Sequence, residues 1–133
     1  MLRRANKRAP HLAAGQAAEN LALEYLQRRG LRLLTRNYRC YFGELDLVMT
    51  HGRELIIVEV RYRRRDDLVS ALVSIGPRKR ARILRAAQHY LQSHTARAEQ
   101  PLRFDVVTVT GPQQAAQLKW LQGAFDATDL HPD

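Results

Sequence analysis

The stretch "GELDLVMTHGRELIIVEVRYR", residues 43–63, decides how the rest of the chain is read. Apolar and β-branched residues crowd both sides of "THGR", the pattern of two strands, at about 42–49 and 54–62, joined by a hairpin tip. Three carboxylates, Glu44, Asp46 and Glu59, nevertheless lie inside these strands. Carboxylates are rarely buried unless they are paired or hold a metal. Either one face of the sheet is wet, or the acids build a site.

With His51 and Gly52 at the turn, Asp46 faces Ile57 across the ladder and Glu44 faces Glu59. Alternation then puts Ile57, Glu59, Arg61 and Arg63 on one face with Glu44, Asp46 and Val48. Leu45, Leu47, Met49, Ile56, Val58 and Tyr62 fill the other. In this register Asp46 and Glu59 are diagonal neighbours within about 7–8 Å, close enough for a divalent cation to bridge. Without a cation the two would repel, and one would titrate high. A three-residue loop would separate them onto opposite faces. The competing reading is a solvated outer face, on which mixed acids and arginines are ordinary. Apolar Ile57 and Val48 on that face, and helices expected over the sheet, count against it.

Working outward, Ala18, Leu21, Ala22, Tyr25 and Leu26 recur at helical spacing between about His11 and Arg29, and Gly30 stops that helix. "LRLLTRNY", residues 31–38, reads as a strand. "RRRDDLVSALVSI" is a basic loop running into a short apolar turn. "GPRKRARILRAAQHYLQSH" is a second helix with Pro77 in its first turn. "RFDVVTVT", residues 103–110, is a strand, "GPQQ" a turn and "AQLKWLQGAF" a final strand. The order αβββαββ predicts an α/β sandwich with a mixed sheet of about five strands. Its first strands form a meander, and the second helix crosses over to a later strand. The domain spans residues 12–125, after a flexible basic arm (1–11) and before a loose tail (126–133).

Two helical features lean toward the acids. Glu19 shares a stripe with Gly15, Ala22 and Leu26, either as a half-exposed border residue or as a third acid over the sheet edge. Lys79 lies one turn before Ile83 and two before Ala87, so it begins the buried face of the second helix. Arg78, Arg82 and Arg85 form a separate row at i, i+4, i+7, suited to tracking phosphates or simply solvated.

The chain has 133 residues, 22 Lys plus Arg against 13 Asp plus Glu, and a net charge of +9. That surplus favours polyanionic partners, nucleic acid or an acidic membrane surface. Arginine's planar fork suits phosphate, although a GC-rich codon bias would also enrich it. A single cysteine, Cys40, excludes an internal disulfide and a multi-cysteine zinc cage. No run of about 18 apolar residues exists to span a membrane. The start "MLRRANKRAPHLAAG" lacks the apolar stretch of a secretory signal, so a cytoplasmic domain is expected. His11, His51, His89, His94 and His131 show no zinc-ligand spacing. Ser70, Ser74 and Cys40 have no evident His–acid partner for nucleophilic catalysis.

A helix with "G...E", then "RNYRC..GELDLV", "ELIIVEVRYR", a "K" opening a helix that ends "AAQHYL", then "RFDVV" and "AF", together resemble the YraN-like family. Its members are predicted endonucleases related to Holliday-junction resolvases and to the restriction-endonuclease-like superfamily. The resemblance covers about residues 14–125, in the right order. It implies a restriction-endonuclease-like sandwich of two or three layers and hydrolysis of DNA phosphodiesters, branched or junction DNA included. It places the strand-end Asp at Asp46, the Glu of a Glu-x-Lys pair at Glu59 and the helical acid at Glu19. The lysine position is Arg61, a departure from the family's "EVK.R", with Arg63 at the trailing arginine. Mg²⁺ or Mn²⁺ would be held by Asp46, Glu59 and the backbone carbonyl of Val60, since hard cations take oxygen ligands. Arg61 can stabilise charge but cannot act as a base, and Lys79 is the alternative source of an ammonium. Arg63, Arg64 and Arg65 of "RYRRR", with Arg78, Arg82 and Arg85, would grip the backbone. Paired cuts across a junction would require two active sites, hence a homodimer.

Three readings follow. The first is a metal-dependent nuclease. The second is a catalytically quiet nucleic-acid-binding module, for which Arg61 is the main argument. The third is an assembly factor whose charge serves solubility.

Overall fold

The computed structural model describes residues 10–64 and 74–126. Arg65, residues 1–9 of the expected basic arm and the expected tail beyond residue 126 lie outside them, whereas residues 10 and 11, expected in the arm, belong to the first helix. Helix α1 (Pro10–Arg28) leads into strands β1 (Arg32–Cys40), β2 (Gly43–His51) and β3 (Glu54–Arg63). Helix α2 (Pro77–Ser93), β4 (Leu102–Thr110) and β5 (Gln117–Phe125) follow, completing the order αβββαββ. The fold is an α/β sandwich consistent with the restriction-endonuclease-like architecture.

The five strands lie in chain order across one sheet. The β1–β2 and β2–β3 pairs are antiparallel, β3–β4 is parallel, and β4–β5 is antiparallel. A parallel pair needs a crossover, and α2 supplies it. The helices cover opposite faces, giving three layers. Ala18, Ala22 and Leu26 of α1 pack on Leu47, Met49, Ile56, Val58, Val107 and Val109. Ile83, Leu84, Ala86, Ala87 and Tyr90 of α2 pack on Leu45, Val48, Leu55, Ile57, Phe104 and Val106.

Local chemistry fixes the ends. Gly30 takes φ 96°, and the Gly30 and Leu31 amides donate to the carbonyls of Gln27 and Leu26, the Schellman closure that a left-handed residue permits. Pro77 opens α2, where its missing N–H costs nothing.

The hairpin corrects the expected register. His51 pairs with Glu54, Val48 with Ile57 and Leu47 with Val58, so Gly52 and Arg53 form the turn, with Gly52 at φ 59°. Asp46 does not face Ile57, and Glu44 does not face Glu59. The slip is two residues, and with a side-chain period of two it leaves the β3 faces as expected. Alternation fails once, at Asp46: Leu45 and Val48 share the α2 side, whereas Leu47 and Met49 face α1. Leu45 therefore leaves the face on which the sequence pattern put it. Across the ladder, between the pairs Arg36↔Leu47 and Tyr38↔Leu45, Asn37 adopts a left-handed φ of 55°. That irregular step turns the strand at the position of the acid.

Candidate active site

The β2–β3 ladder ends at Leu47↔Val58, and Asp46 is the next residue of β2. Its Oδ2 accepts a hydrogen bond from the Val60 amide at 2.9 Å, standing in for the backbone acceptor that a continued ladder would provide. Asp46 thus lies at the point where two strands part, half-buried, between the faces rather than on one. The N–H and C=O of a strand residue point to the same side. The Val60 carbonyl therefore faces the opening toward which its amide is directed.

Glu59 is buried, its side chain 6% exposed. Lys79, from the first turn of α2, brings Nζ to 3.2 Å from Glu59 Oε2. Arg61 approaches the same oxygen at 3.5 Å. The first turn of α2 packs over this end of the sheet because Ile83, Ala86, Ala87 and Tyr90 anchor the helix, as the i, i+4 spacing of Lys79 and Ile83 predicts. Arg61 Nε is buried and has no hydrogen-bond partner, an exception to the usual pairing of buried donors.

The charges of the cluster act on Asp46. Burial, then the Glu59 carboxylate, then Glu19 push the Asp46 carboxyl up to about 8. The Val60 N–H bond and the Lys79 cation pull it the other way without prevailing. This carboxyl lacks a positive partner of its own, because both nearby cations sit on Glu59.

Among the described residues, no three His, Cys, Asp or Glu side chains converge closely enough to hold a metal on their own. The donor set is two carboxylates and a backbone oxygen. That set fits Mg²⁺, which keeps several waters and is commonly held by one or two carboxylates.

The remaining expected residues divide. Glu19 turns toward β1, where its Oε1 accepts from Arg36 Nε at 2.6 Å. Its charge reaches Asp46, while its side chain is held by arginine. Arg78, Arg82 and Arg85 form an exposed row on α2. Arg78, Lys79 and Arg82 also line an open depression with Ser74, Gly76 and Pro77. Arg64 is exposed just after β3. Arg63 is not free: it donates to the Tyr62 carbonyl at 2.8 Å and to Ser74 Oγ at 2.7 Å.

One buried acid carries no role in the sequence reading. Asp105, fully buried on β4, accepts from Arg103 Nε and a terminal guanidinium nitrogen at 2.9 Å each. It also accepts from Trp120 Nε1 at 2.8 Å and the Gly123 amide at 3.0 Å. The signal was available: an acid in the apolar run "RFDVVTVT", with an arginine two residues earlier on the same face, is a buried ion pair in outline.

The model of the uncharacterised protein family UPF0102 matches residues 18–109, α1 through β4. The chain belongs to the UPF0102 family. A UPF0102 protein of Nitrosococcus oceani is 49% identical over 119 residues, covering 90% of this chain and 96% of the relative. Another, from Pseudomonas entomophila, is 52% identical over 114 residues, covering 85% and 93%. A third, from Stutzerimonas stutzeri, is 49% identical over 115 residues, 86% and 96%. The UPF0102 match spans every residue of the cluster: Glu19, Asp46, Glu59, Val60, Arg61 and Lys79. No described helix of this UPF0102 chain is long and apolar enough to cross a membrane.

Proposed function

We propose that this chain is a metal-dependent nuclease that hydrolyses DNA phosphodiesters, as its resemblance to YraN-like proteins implies. The observation that carries the reading is Asp46 held on the Val60 amide where β2 leaves β3, within reach of the charge of Glu59, with Lys79 and Arg61 on Glu59. Asp46, Glu59 and the Val60 carbonyl would hold Mg²⁺ or Mn²⁺. Such an ion lowers the pKa of bound water and offsets negative charge on the phosphate.

The protein's own groups have separate tasks. Lys79 and Arg61 hold the Glu59 carboxylate in place through their ion pairs. They also present positive charge where charge builds up on the phosphate oxygens, the largest effect in most active sites. Lys79 takes over the ammonium role that Arg61 vacates, from a helix instead of from the strand. The exposed Arg78, Arg82 and Arg85 track the flanking backbone by bidentate contacts.

The test is cleavage of linear, flap and four-way-junction DNA with Mg²⁺ or Mn²⁺. The wild-type chain should cut, and Asp46→Ala or Glu59→Ala should lower the rate by at least about 100-fold. Undiminished cutting by either variant ends the proposal. A second reading, nucleic-acid binding without cleavage, is favoured by Arg61 at the lysine position and by two cations already neutralising Glu59. It expects salt-sensitive binding, through counterion release, and no product with any metal.

A further inference from the structure

Among the described residues, the exposed large hydrophobic side chains are Tyr41, 95% exposed, and Phe42, 39% exposed. They are neighbours at the β1–β2 hairpin tip, ring centroids 5.4 Å apart and nearly perpendicular at 82°. The tip is buttressed from beneath. The Phe42 ring lies 6.3 Å from that of His89 on α2. His89 in turn bonds the Tyr38 hydroxyl, and Tyr38 packs edge-on against buried Tyr90 at 5.1 Å. A Cβ built on Gly43 would lie 3.5 Å from that of Arg82, so the tip borders the cationic Arg78–Arg82–Arg85 row, while on its other side Arg39 pairs with Glu44 at 3.4 Å.

We propose that Tyr41 and Phe42 form a stacking platform for unpaired nucleobases, so that the chain selects nucleic acid with a single-stranded segment beside the scissile position. Exposed apolar patches mark binding surfaces, and two rings among arginines match the pairing of stacking faces and backbone-tracking cations used for single strands. The patch is far smaller than the roughly 800 Å² per partner of a stable protein interface. Bases inside a duplex are already stacked and offer these rings no face, whereas unpaired ones do. Gly43 is three residues before Asp46 on β2, about 10 Å along the strand, so platform and carboxylate lie within one short stretch of nucleic acid. The inference deepens the nuclease reading by naming the substrate class, and rests on it only for the link between platform and cut.

Binding is measured by fluorescence anisotropy, in EDTA, with the full chain on single-stranded, forked and blunt duplex DNA. Wild type binds the first two more tightly. Tyr41→Ala and Phe42→Ala each weaken those two by roughly tenfold, leave duplex affinity unchanged and leave the melting temperature unchanged, while Tyr41→Phe binds like wild type. Equal losses on duplex, or none anywhere, overturn the proposal. So does intact DNA affinity combined with loss of binding to anionic phospholipid vesicles, or of a dimer in sedimentation. The two readings fail separately. Cleavage of blunt duplex as readily as of forks sinks the platform and leaves the nuclease, and single-strand preference without cleavage in any metal does the reverse.

Discussion

Two aspartates in adjoining parts of one sheet carry opposite lessons. Asp105 sits at the β4–β5 bend with its oxygens saturated by Arg103, Trp120 and the Gly123 amide. Arg103 is itself shared with Glu54 at 2.7 Å. Asp46 sits at the β2–β3 parting with one backbone N–H, a second carboxylate for a neighbour, and a carboxyl pushed up to about 8. Burying a charge is tolerable when the protein supplies every partner. The first acid is complete within the fold. The second is left incomplete, and on the proposed reading an external cation would complete it.

The sharpest way to break this contrast is to remove each acid in turn. Asp105→Ala strands a guanidinium, an indole N–H and an amide inside the sheet, and should cost about 3–5 kcal/mol in urea denaturation. Asp46→Asn replaces a carboxyl that the metal-free protein already holds protonated at neutral pH, and should not destabilise it there. If the two substitutions cost the same, Asp46 is a structural acid like Asp105 and the contrast collapses.

The pH dependence follows with a definite sign. The folded protein keeps the Asp46 proton up to about pH 8, while the unfolded chain releases it near the ordinary value of 3.8. Between those values the native state binds the extra proton, so stability falls as pH rises through the window. In EDTA the loss should be on the order of 2–4 kcal/mol, discounted for screening at the half-open edge. Thermal melts from pH 4 to pH 8.5 should show this slope in wild type and a flatter one in Asp46→Asn. A slope of the opposite sign would mean that Asp46 is paired after all.

Adding the ion should sharpen the difference rather than erase it. At a Mg²⁺ concentration about tenfold above its dissociation constant, linkage stabilises the native state by about 1.4 kcal/mol, roughly 4 °C in melting temperature at pH 8. Asp46→Asn should lose the shift, and Asp105 should play no part in it. A wild-type chain indifferent to Mg²⁺ and Mn²⁺ would favour the quiet binding module.

Much of this was legible before any coordinates. Periodicity, Gly30 and Pro77 place both helices, and the apolar runs place all five strands. The two-residue slip preserved which side each β3 residue faces, but Asp46 itself left the expected face for the gap between the strands, where it accepts from the Val60 amide. What the letters did not carry was the break in alternation at Asp46, since it depends on Asn37 entering the left-handed region. That choice is made by the paired strand and not by local preference. Lys79 was foreseeable as a helix-start residue on the buried face. Its landing on Glu59 required the path of α2 over the sheet. The Arg103–Asp105 pair was legible from its spacing, but the saturation of Asp105 by Trp120 and the Gly123 amide, and the exposure of the Tyr41–Phe42 tip, are properties of neighbours distant in sequence.

The smallest expected effect tests which cation completes the site. Lys79 is closer to Glu59 Oε2, at 3.2 Å against 3.5 Å for Arg61, and Arg61 keeps a buried donor without a partner. Arg61→Lys removes that orphan and preserves the charge, so unfolding free energy should move by less than about 0.5 kcal/mol. If α2 already provides the ammonium, the cleavage rate should also change by less than about tenfold, whereas Lys79→Ala should lower it by about 100-fold. The reverse pattern, a harmless Lys79→Ala and an Arg61→Lys variant that cuts far faster than wild type, would return the ammonium to the strand. The contrast between the two aspartates would stand, but the incomplete one would be waiting for a lysine as well as for a metal.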